Sequence, residues 1–335
     1  MVNRIIKVVS KKLSLRTLVK WRMRPNGIYC FNFHRIGDAQ GAEFDPNLFS
    51  CTVDRFEELL RFFSTNFECI SIDKLIQMRQ NNTPIDRRYA VITFDDGYVD
   101  NYKLAYPLLK KYQLSAAFYI ATNYIDNPSI PWWDEAAWLI KNCEKGAIQL
   151  PSWLEPINID GGAIEDSIRD ILRKIKTDSQ ATMNEKLAQL RLNAKITMPL
   201  KVKSTNLFMS WPQIRELAGA GMHIGSHSCS HRILSHLDKE QQVQELVTSK
   251  ERLEHELATE VTSFAYPVGG TETFTQETQS MVCDAGYKLA FSYISGIIGS
   301  FSSSCDYQLR RIAIDNNCSI ADLKRILINC KVVAS

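Results

Sequence analysis

Apolar positions along this chain fall into two alternating patterns. Short, mostly apolar runs, at residues 27–34, 89–94, 116–121, 262–267, 288–293 and 309–314, read as strands, the continuous run 89–94 as one buried on both faces. Between them, apolar residues recur at three- and four-residue spacing. Thr52 is positioned to cap a helix whose inner stripe is Phe56, Leu59, Leu60 and Phe63. Further helices are expected at 99–112, after Ser210-Trp211-Pro212, from the Asp238/Gln241 capping pair to about 257, at 274–285 and at 319–328. Strands alternating with helices imply a parallel sheet, and their number suffices to close a barrel. Residues 126–210 interrupt the alternation. This stretch opens on Pro128 and Pro131 and carries Trp132, Trp133 and Trp138. It then shows two helical stripes, one from Ile164 to Ile175 and one from Met183 to Leu190, so a helical insertion is expected there.

Two apolar runs end in reactive side chains. One closes on Thr93-Phe94-Asp95-Asp96-Gly97, and another is followed by His227-Ser228-Cys229-Ser230-His231. Parallel α/β folds place catalytic groups at such strand ends. Two adjacent carboxylates and two histidines supply three ligands for a cation and leave one carboxylate to move a proton. A spacing of four puts both imidazoles on one side of a helical turn. Asp-Asp-Gly is also ordinary turn chemistry, but four of the six histidines fall between 223 and 236, which argues against chance surface placement. His223, His236 and His255 are expected to be structural or solvated, and Cys229 to face away from both flanking histidines. A two-histidine, one-carboxylate set suits zinc, and also cobalt, nickel, iron or manganese.

Composition narrows the setting. The nine cysteines are scattered, odd in number and without a C-x-x-C pair, which reads as reduced thiols. Residues 1–24 carry eight basic side chains and no acid, so of the net +3 the remainder holds −5. A mildly acidic body argues against nucleic acid as a partner. Val2, Ile5, Ile6, Val9 and Leu13 share one helical face opposite Arg4, Lys7 and Lys11. Such a segment, residues 2–13, either lies on an anionic membrane or packs on the body with its lysines in water. It lacks the continuous apolar stretch of a secretory signal, and no run is long enough to span a bilayer, so a cytoplasmic location is expected, with peripheral attachment at the inner membrane face as its variant.

Taken together, Thr93-Phe94-Asp95-Asp96-Gly97, His227-Ser-x-x-His231 and Phe264-Ala265-Tyr266-Pro267-Val268-Gly269 resemble, in order, the motifs of the polysaccharide deacetylase (NodB-homology, carbohydrate esterase 4) family. The resemblance implies a distorted (β/α) barrel of about seven parallel strands over residues 25–335, with the helical insertion at about 126–210 and the basic segment 1–24 before it. It implies metal-dependent removal of N-acetyl, or O-acetyl, groups from a sugar, polysaccharide or lipid-linked saccharide. Carried over by motif, Asp95 is the general base, Asp96, His227 and His231 are the metal ligands, and the backbone N–H at Val268 holds the oxyanion. Three departures follow. Ala265 stands where the family often has an arginine, a role open to Arg310 or Arg311. Val268 replaces a usual tyrosine. The C-terminal Leu-x-x-His is missing, the region reading Ile326-Leu327-Ile328-Asn329. His34, closing the first strand, resembles the N-terminal histidine of a rearranged branch and supplies the acid that amide hydrolysis needs. Trp132 and Trp133 form either a sugar platform or an anchor for the insertion, and Asp134 and Glu135 either bind sugar hydroxyls or are solvated. Two other readings stay open: a non-catalytic carbohydrate binder on the same scaffold, and an amidase for a small non-sugar amide.

Overall fold

The computed structural model describes residues 15–334 apart from 145, 151–152, 154, 160–162, 178–181, 204–205, 302–306 and 317; the segment 2–13 lies outside the described residues. Seven parallel strands close a ring: β1 (Gly27–Phe33), β2 (Arg88–Phe94), β3 (Ala117–Ile120), β4 (His223–Ser226), β5 (Ser263–Ala265), β6 (Leu289–Ser295) and β7 (Leu309–Ala313). Closure is explicit in the register. β1 runs beside β2 from Ile28 against Tyr89 to Phe33 against Phe94, and its other edge meets β7 with Phe31 against Ile312. All strands being parallel, their C-terminal ends share one rim, and His34, Asp95, Asp96, His227 and Val268 each follow a strand end there.

The apolar runs have no polar face because both faces are covered. Outward side chains such as Phe31, Phe33, Phe94 and Phe118 join a core with Phe56 and Phe63 of the helix Val53–Asn66. Phe31 stacks on Phe63 at 4.2 Å. Thr52 Oγ1 accepts the Arg55 N–H and starts that helix as expected. Inward side chains form a second cluster with Cys30, Val91, Tyr119 and Phe291, which Ile72, Leu75 and Met78 of the helix Ile72–Gln80 also join. Tyr119 occupies so much of this interior that a Cβ at Gly225 would stand 2.3 Å from its ring, which fixes glycine there.

The alternation departs from expectation in five places. The helix expected at 99–112 is split into a π-turn, Asn101–Ala105, and a helix, Tyr106–Lys111, because Pro107 lacks an N–H and sits only where a first turn can begin. The helix Ile72–Gln80 and the strands Ile297–Ser300 and Val332–Ala334 had no sequence signal strong enough to place them; Ile297–Ser300 runs antiparallel beside β1, with Ile28 against Ile298. Between β3 and β4 lie the two striped helices, Ile164–Thr177 and Met183–Ala194, and both contact a third, Trp132–Asn142. Eight of its eleven residues are buried, so it carries no amphipathic stripe to read. No helix among the described residues is long and apolar enough to cross a membrane.

Candidate metal centre and catalytic pocket

The Asp-Asp pair diverges because the chain turns between its members. The Asp95 N–H still bonds Phe33 O at 3.0 Å, extending the β1–β2 ladder one residue beyond the strand. The chain then reverses at Asp96 (φ +72°), closed by Gly97 N–H to Asp95 O at 3.0 Å. Asp95 thus keeps the inward direction of Thr93, while Asp96 is thrown across the rim. The same device recurs after β5, where Val268 (φ +62°) is spanned by Gly269 N–H to Pro267 O at 2.7 Å. Ser228 (φ +65°) and His231 (φ +55°) are also left-handed. Such conformations cost on the order of 1–3 kcal/mol each and persist where surrounding structure enforces them. Four gathered on one rim mark a built site.

His227 and His231 are not on a helical turn, contrary to the spacing argument; they bracket an irregular loop. Glu245, buried on the helix Lys239–Leu257, holds that loop. Its Oε2 accepts the N–H groups of Cys229 and Ser230, both at 2.9 Å, and its Oε1 accepts the Ser230 hydroxyl. Ser228 Oγ accepts the His231 N–H at 3.0 Å. Cys229 points at Glu245 O, away from both imidazoles, as expected. His223 bonds Ser263 Oγ at 2.8 Å and is structural, whereas His236 lines the cavity.

Asp96 Oδ1 lies 3.4 Å from His227 Nε2 and 3.3 Å from His231 Nε2, and all three residues are buried. Asp96 Oδ1 has no hydrogen-bond partner, nor has His231 Nδ1. Two donors each about 2.0–2.1 Å from a tetrahedral centre stand about 3.3 Å apart, so the spacing fits a divalent ion such as zinc. The His227 Nδ1–H donates to Ala265 O at 2.7 Å, which leaves the Nε2 lone pair for a metal. Burial favours the neutral, ligating form of His231 and pushes its pKa down. Burial pushes the Asp96 carboxyl up, but the two imidazoles overcome it and hold the group well below the usual carboxylate range. The residues present fit a divalent cation, with Asp96, His227 and His231 to hold it.

Asp95 sits apart from that set, clamped by Arg311. The guanidinium bonds both carboxylate oxygens, at 2.7 and 2.8 Å. Two further donors go to Asn32 Oδ1 (2.7 Å) and Ser292 O (2.8 Å), and Asn32 Nδ2 reaches Asp95 Oδ2 at 3.2 Å. Burial raises the Asp95 carboxyl, and Arg311, His227 and His34 more than offset this, so its pKa is lowered and it is ionised. Of the two arginines held open for this position, the pleat selects Arg311. Arg311 is 1% exposed with every nitrogen engaged, so its contact is with Asp95 rather than with substrate. Arg310, on the opposite face, packs over Gly296 and does not line the cavity described below.

Above these groups opens a cavity of about 780 Å³, which His34, Asp95, Asp96, Trp133, Val268 and Tyr293 all line. The His34 ring meets Tyr293 edge-on at 5.7 Å, and its backbone is fixed by Ser50 Oγ and Asn101 Nδ2. Trp133 packs on His231 with ring centroids 4.4 Å apart, and its Nε1–H donates to Tyr98 OH, which donates to Asp134 Oδ2, each at 2.7 Å. Trp132 crosses Trp133 perpendicularly at 5.5 Å and also lines the cavity. Of the acids beside them, Asp134 is not solvated, and Glu135 sits in a partly exposed ion pair. Asp134 is wholly buried and internally bonded, and Glu135 pairs with Arg191 at 2.6 Å. Sequence reasoning missed Asn32, Glu245, Tyr293 and Lys176; only Asn32, a polar residue inside an apolar run, left a readable trace.

A model of the family described as polysaccharide deacetylase matches residues 82–290. Among curated proteins, a poly-β-1,6-N-acetyl-D-glucosamine N-deacetylase of Escherichia coli K12 is 24% identical over 105 residues, 31% of this chain and 15% of that protein. A putative polysaccharide deacetylase of Bacillus subtilis, YxkH, is 44% identical over 45 residues, 13% of this chain and 16% of its own. The matched stretches thus span under a fifth of either relative. Among solved structures, the Streptococcus pyogenes deacetylase PplD superposes with a TM-score of 0.60 at 18% identity, covering 90% of this chain and 99% of its own. A de-N-acetylase of Aggregatibacter actinomycetemcomitans gives 0.55 at 14%, covering 89% and 98%. These likenesses establish a shared fold. The family match takes in β2 to β5 with both the Asp-Asp and the His-x-x-x-His motifs, and the chain belongs to the polysaccharide deacetylase family.

Proposed function

We propose that this protein is a metal-dependent hydrolase that removes N-acetyl groups from a saccharide, with O-acetyl groups as the alternative substrate bond. The observation that carries this reading is the division of labour between adjacent carboxylates: Asp96 joins His227 and His231, while Arg311 holds Asp95 ionised beside them. Asp96, His227 and His231 would hold a divalent cation, which when bound would supply Lewis-acid chemistry at the acyl group. Asp95 removes the proton from the attacking water. The Val268 N–H donates to the developing oxyanion. His34 protonates the departing nitrogen, which leaves poorly as an anion. Trp132 and Trp133 present apolar faces to the sugar ring. The E. coli relative's substrate makes β-1,6-linked N-acetylglucosamine oligomers a suitable first probe. All eight described cysteines are free, which supports action in a reducing, cytoplasmic compartment, testable by cell fractionation.

The test is acetate release from N-acetylated oligosaccharides by protein loaded with zinc or cobalt. Asp95→Asn is expected to keep its metal and lose at least about 10²-fold in turnover. Undiminished acetate release by Asp95→Asn would remove Asp95 from the role of base.

A further inference from the structure

One wall of the cavity is basic. It belongs to the helix Ile164–Thr177, whose apolar residues Ile168, Ile171, Leu172 and Ile175 are buried. Beside that stripe, Arg169, Arg173 and Lys176 recur at three- and four-residue spacing, and all three line the cavity. The two arginines form the outer part. Arg169 reaches Asp166 Oδ1 at 2.9 Å and Asn47 Oδ1 at 2.7 Å, and Arg173 pairs with Asp170. These are exposed pairs within one helix or at its edge, and they give way readily to a ligand.

Lys176 differs. It is half-buried and has neither an ion pair nor a hydrogen bond among the described residues; its ammonium stands 5.9 Å from the Trp132 ring centroid. Desolvation presses on the charged form, against the more distant carboxylates of Asp45 and Asp96. Those carboxylates are already engaged. Asp45 accepts the N–H and the Nδ2 of Asn47, both at 2.9 Å, and Asp96 belongs with the histidines. Glu272 lines the same cavity without pairing to Lys176. A desolvated ammonium without a partner is costly unless an incoming anion supplies one. A row of contacts relates it to the reactive centre: His231 to Trp133, Trp133 to Trp132, Trp132 to Lys176. The ammonium therefore stands two aromatic rings from a metal ligand, along the surface on which the sugar is expected to lie.

We propose that Lys176, with Arg173 and Arg169 toward the mouth, binds an anionic substituent on the saccharide, a phosphate or a carboxylate close to the N-acetylated sugar. This rests on the deacetylase reading and adds a substrate class to it: charged rather than neutral glycans. Ammonium and guanidinium both bind oxyanions, so the two anion types share this chemistry.

The experiment compares three N-acetylglucosamine oligomers of equal length: one neutral, one bearing a phosphate, one ending in a uronic acid. Acetate release is measured for the wild-type chain, Lys176→Met and Lys176→Arg. Binding of the same oligomers is measured by calorimetry on the Asp95→Asn background. Lys176→Met is expected to raise KM and Kd for a charged oligomer at least tenfold more than for the neutral one, and Lys176→Arg to restore most of the loss. Added salt should weaken binding of the charged oligomer selectively. The charged oligomer showing the larger effect identifies the anion. Equal kcat/KM for neutral and charged oligomers, or equal effects of Lys176→Met on all three, overturns the proposal and leaves the deacetylase reading standing. Absence of acetate from every oligomer overturns that reading, and the calorimetric Kd values then decide the anion site by themselves.

Discussion

Replacing Arg311 with methionine removes a buried guanidinium that neutralises Asp95 through two hydrogen bonds of 2.7 and 2.8 Å. Four elements meet at this group, since it also binds Asn32 on β1 and Ser292 on β6 while Asp95 follows β2. Breaking a buried pair by deleting one partner costs about 3–5 kcal/mol, because the other charge stays in place without compensation. Arg311→Met is expected to lose that much in urea unfolding followed by tryptophan fluorescence. Asp95→Asn is also expected to destabilise, and the double variant to lose less than the sum, with a coupling of about 2 kcal/mol. A second readout concerns protonation. Arg311 is the main group offsetting burial at Asp95, so without it burial dominates and the carboxyl pKa rises. The base must be ionised to act, so the acid limb of kcat/KM moves to higher pH, and activity falls more at pH near 6 than at pH near 8. Arg311→Lys, which keeps the charge and loses the fork, lies between the two on both measures. Additive stabilities together with an unmoved acid limb would refute the pairing.

Other expectations follow from the neighbouring groups. His34→Gln should keep its metal and lose about 10²–10⁴-fold in turnover; undiminished turnover would exclude it as the acid. Glu245→Ala loosens the histidine loop and should weaken metal affinity by about 10–100-fold in a chelator competition, so an unchanged affinity would contradict its positioning role. Asp134 is pushed up to about 7 by burial, against Arg35, Tyr98 and the Asp45 N–H. A carboxyl raised in the folded state keeps its proton where the unfolded chain has lost it. Its contribution is therefore largest below the ordinary value and falls as pH rises from about 4 to about 7, by up to about 4 kcal/mol. Asp134→Asn should flatten that decline in urea unfolding between pH 4 and pH 8, and parallel profiles for the two proteins would contradict it.

What could be read from the chain depended on how local each signal was. β2 and β3 were legible because runs buried on both faces are continuous in sequence, and Asp95 and Asp96 because a motif sits at a strand end. Arg311 could not be separated from Arg310 beforehand. The two differ only in which face of β7 they occupy, and that register is set by pairing with β1, about 280 residues earlier. Glu245 read as one more polar residue on a long helix, since its partners Cys229 and Ser230 meet it only in the fold. Trp132 to Asn142 hid for the opposite reason, burial on all sides, which erases periodicity. The spacing of His227 and His231 picked out two rings that do stand together with Asp96, but for an incorrect reason. The loop, not a helical turn, aims them, with backbone angles that no propensity scale favours.

Metal analysis of the purified protein bears most directly on the central claim, that Asp96, His227 and His231 hold one cation beside a separate base. The account predicts about one divalent ion per chain, retained by Asp95→Asn and lost by Asp96→Ala, His227→Ala and His231→Ala. A full complement of metal in the His227→Ala/His231→Ala double variant would contradict it.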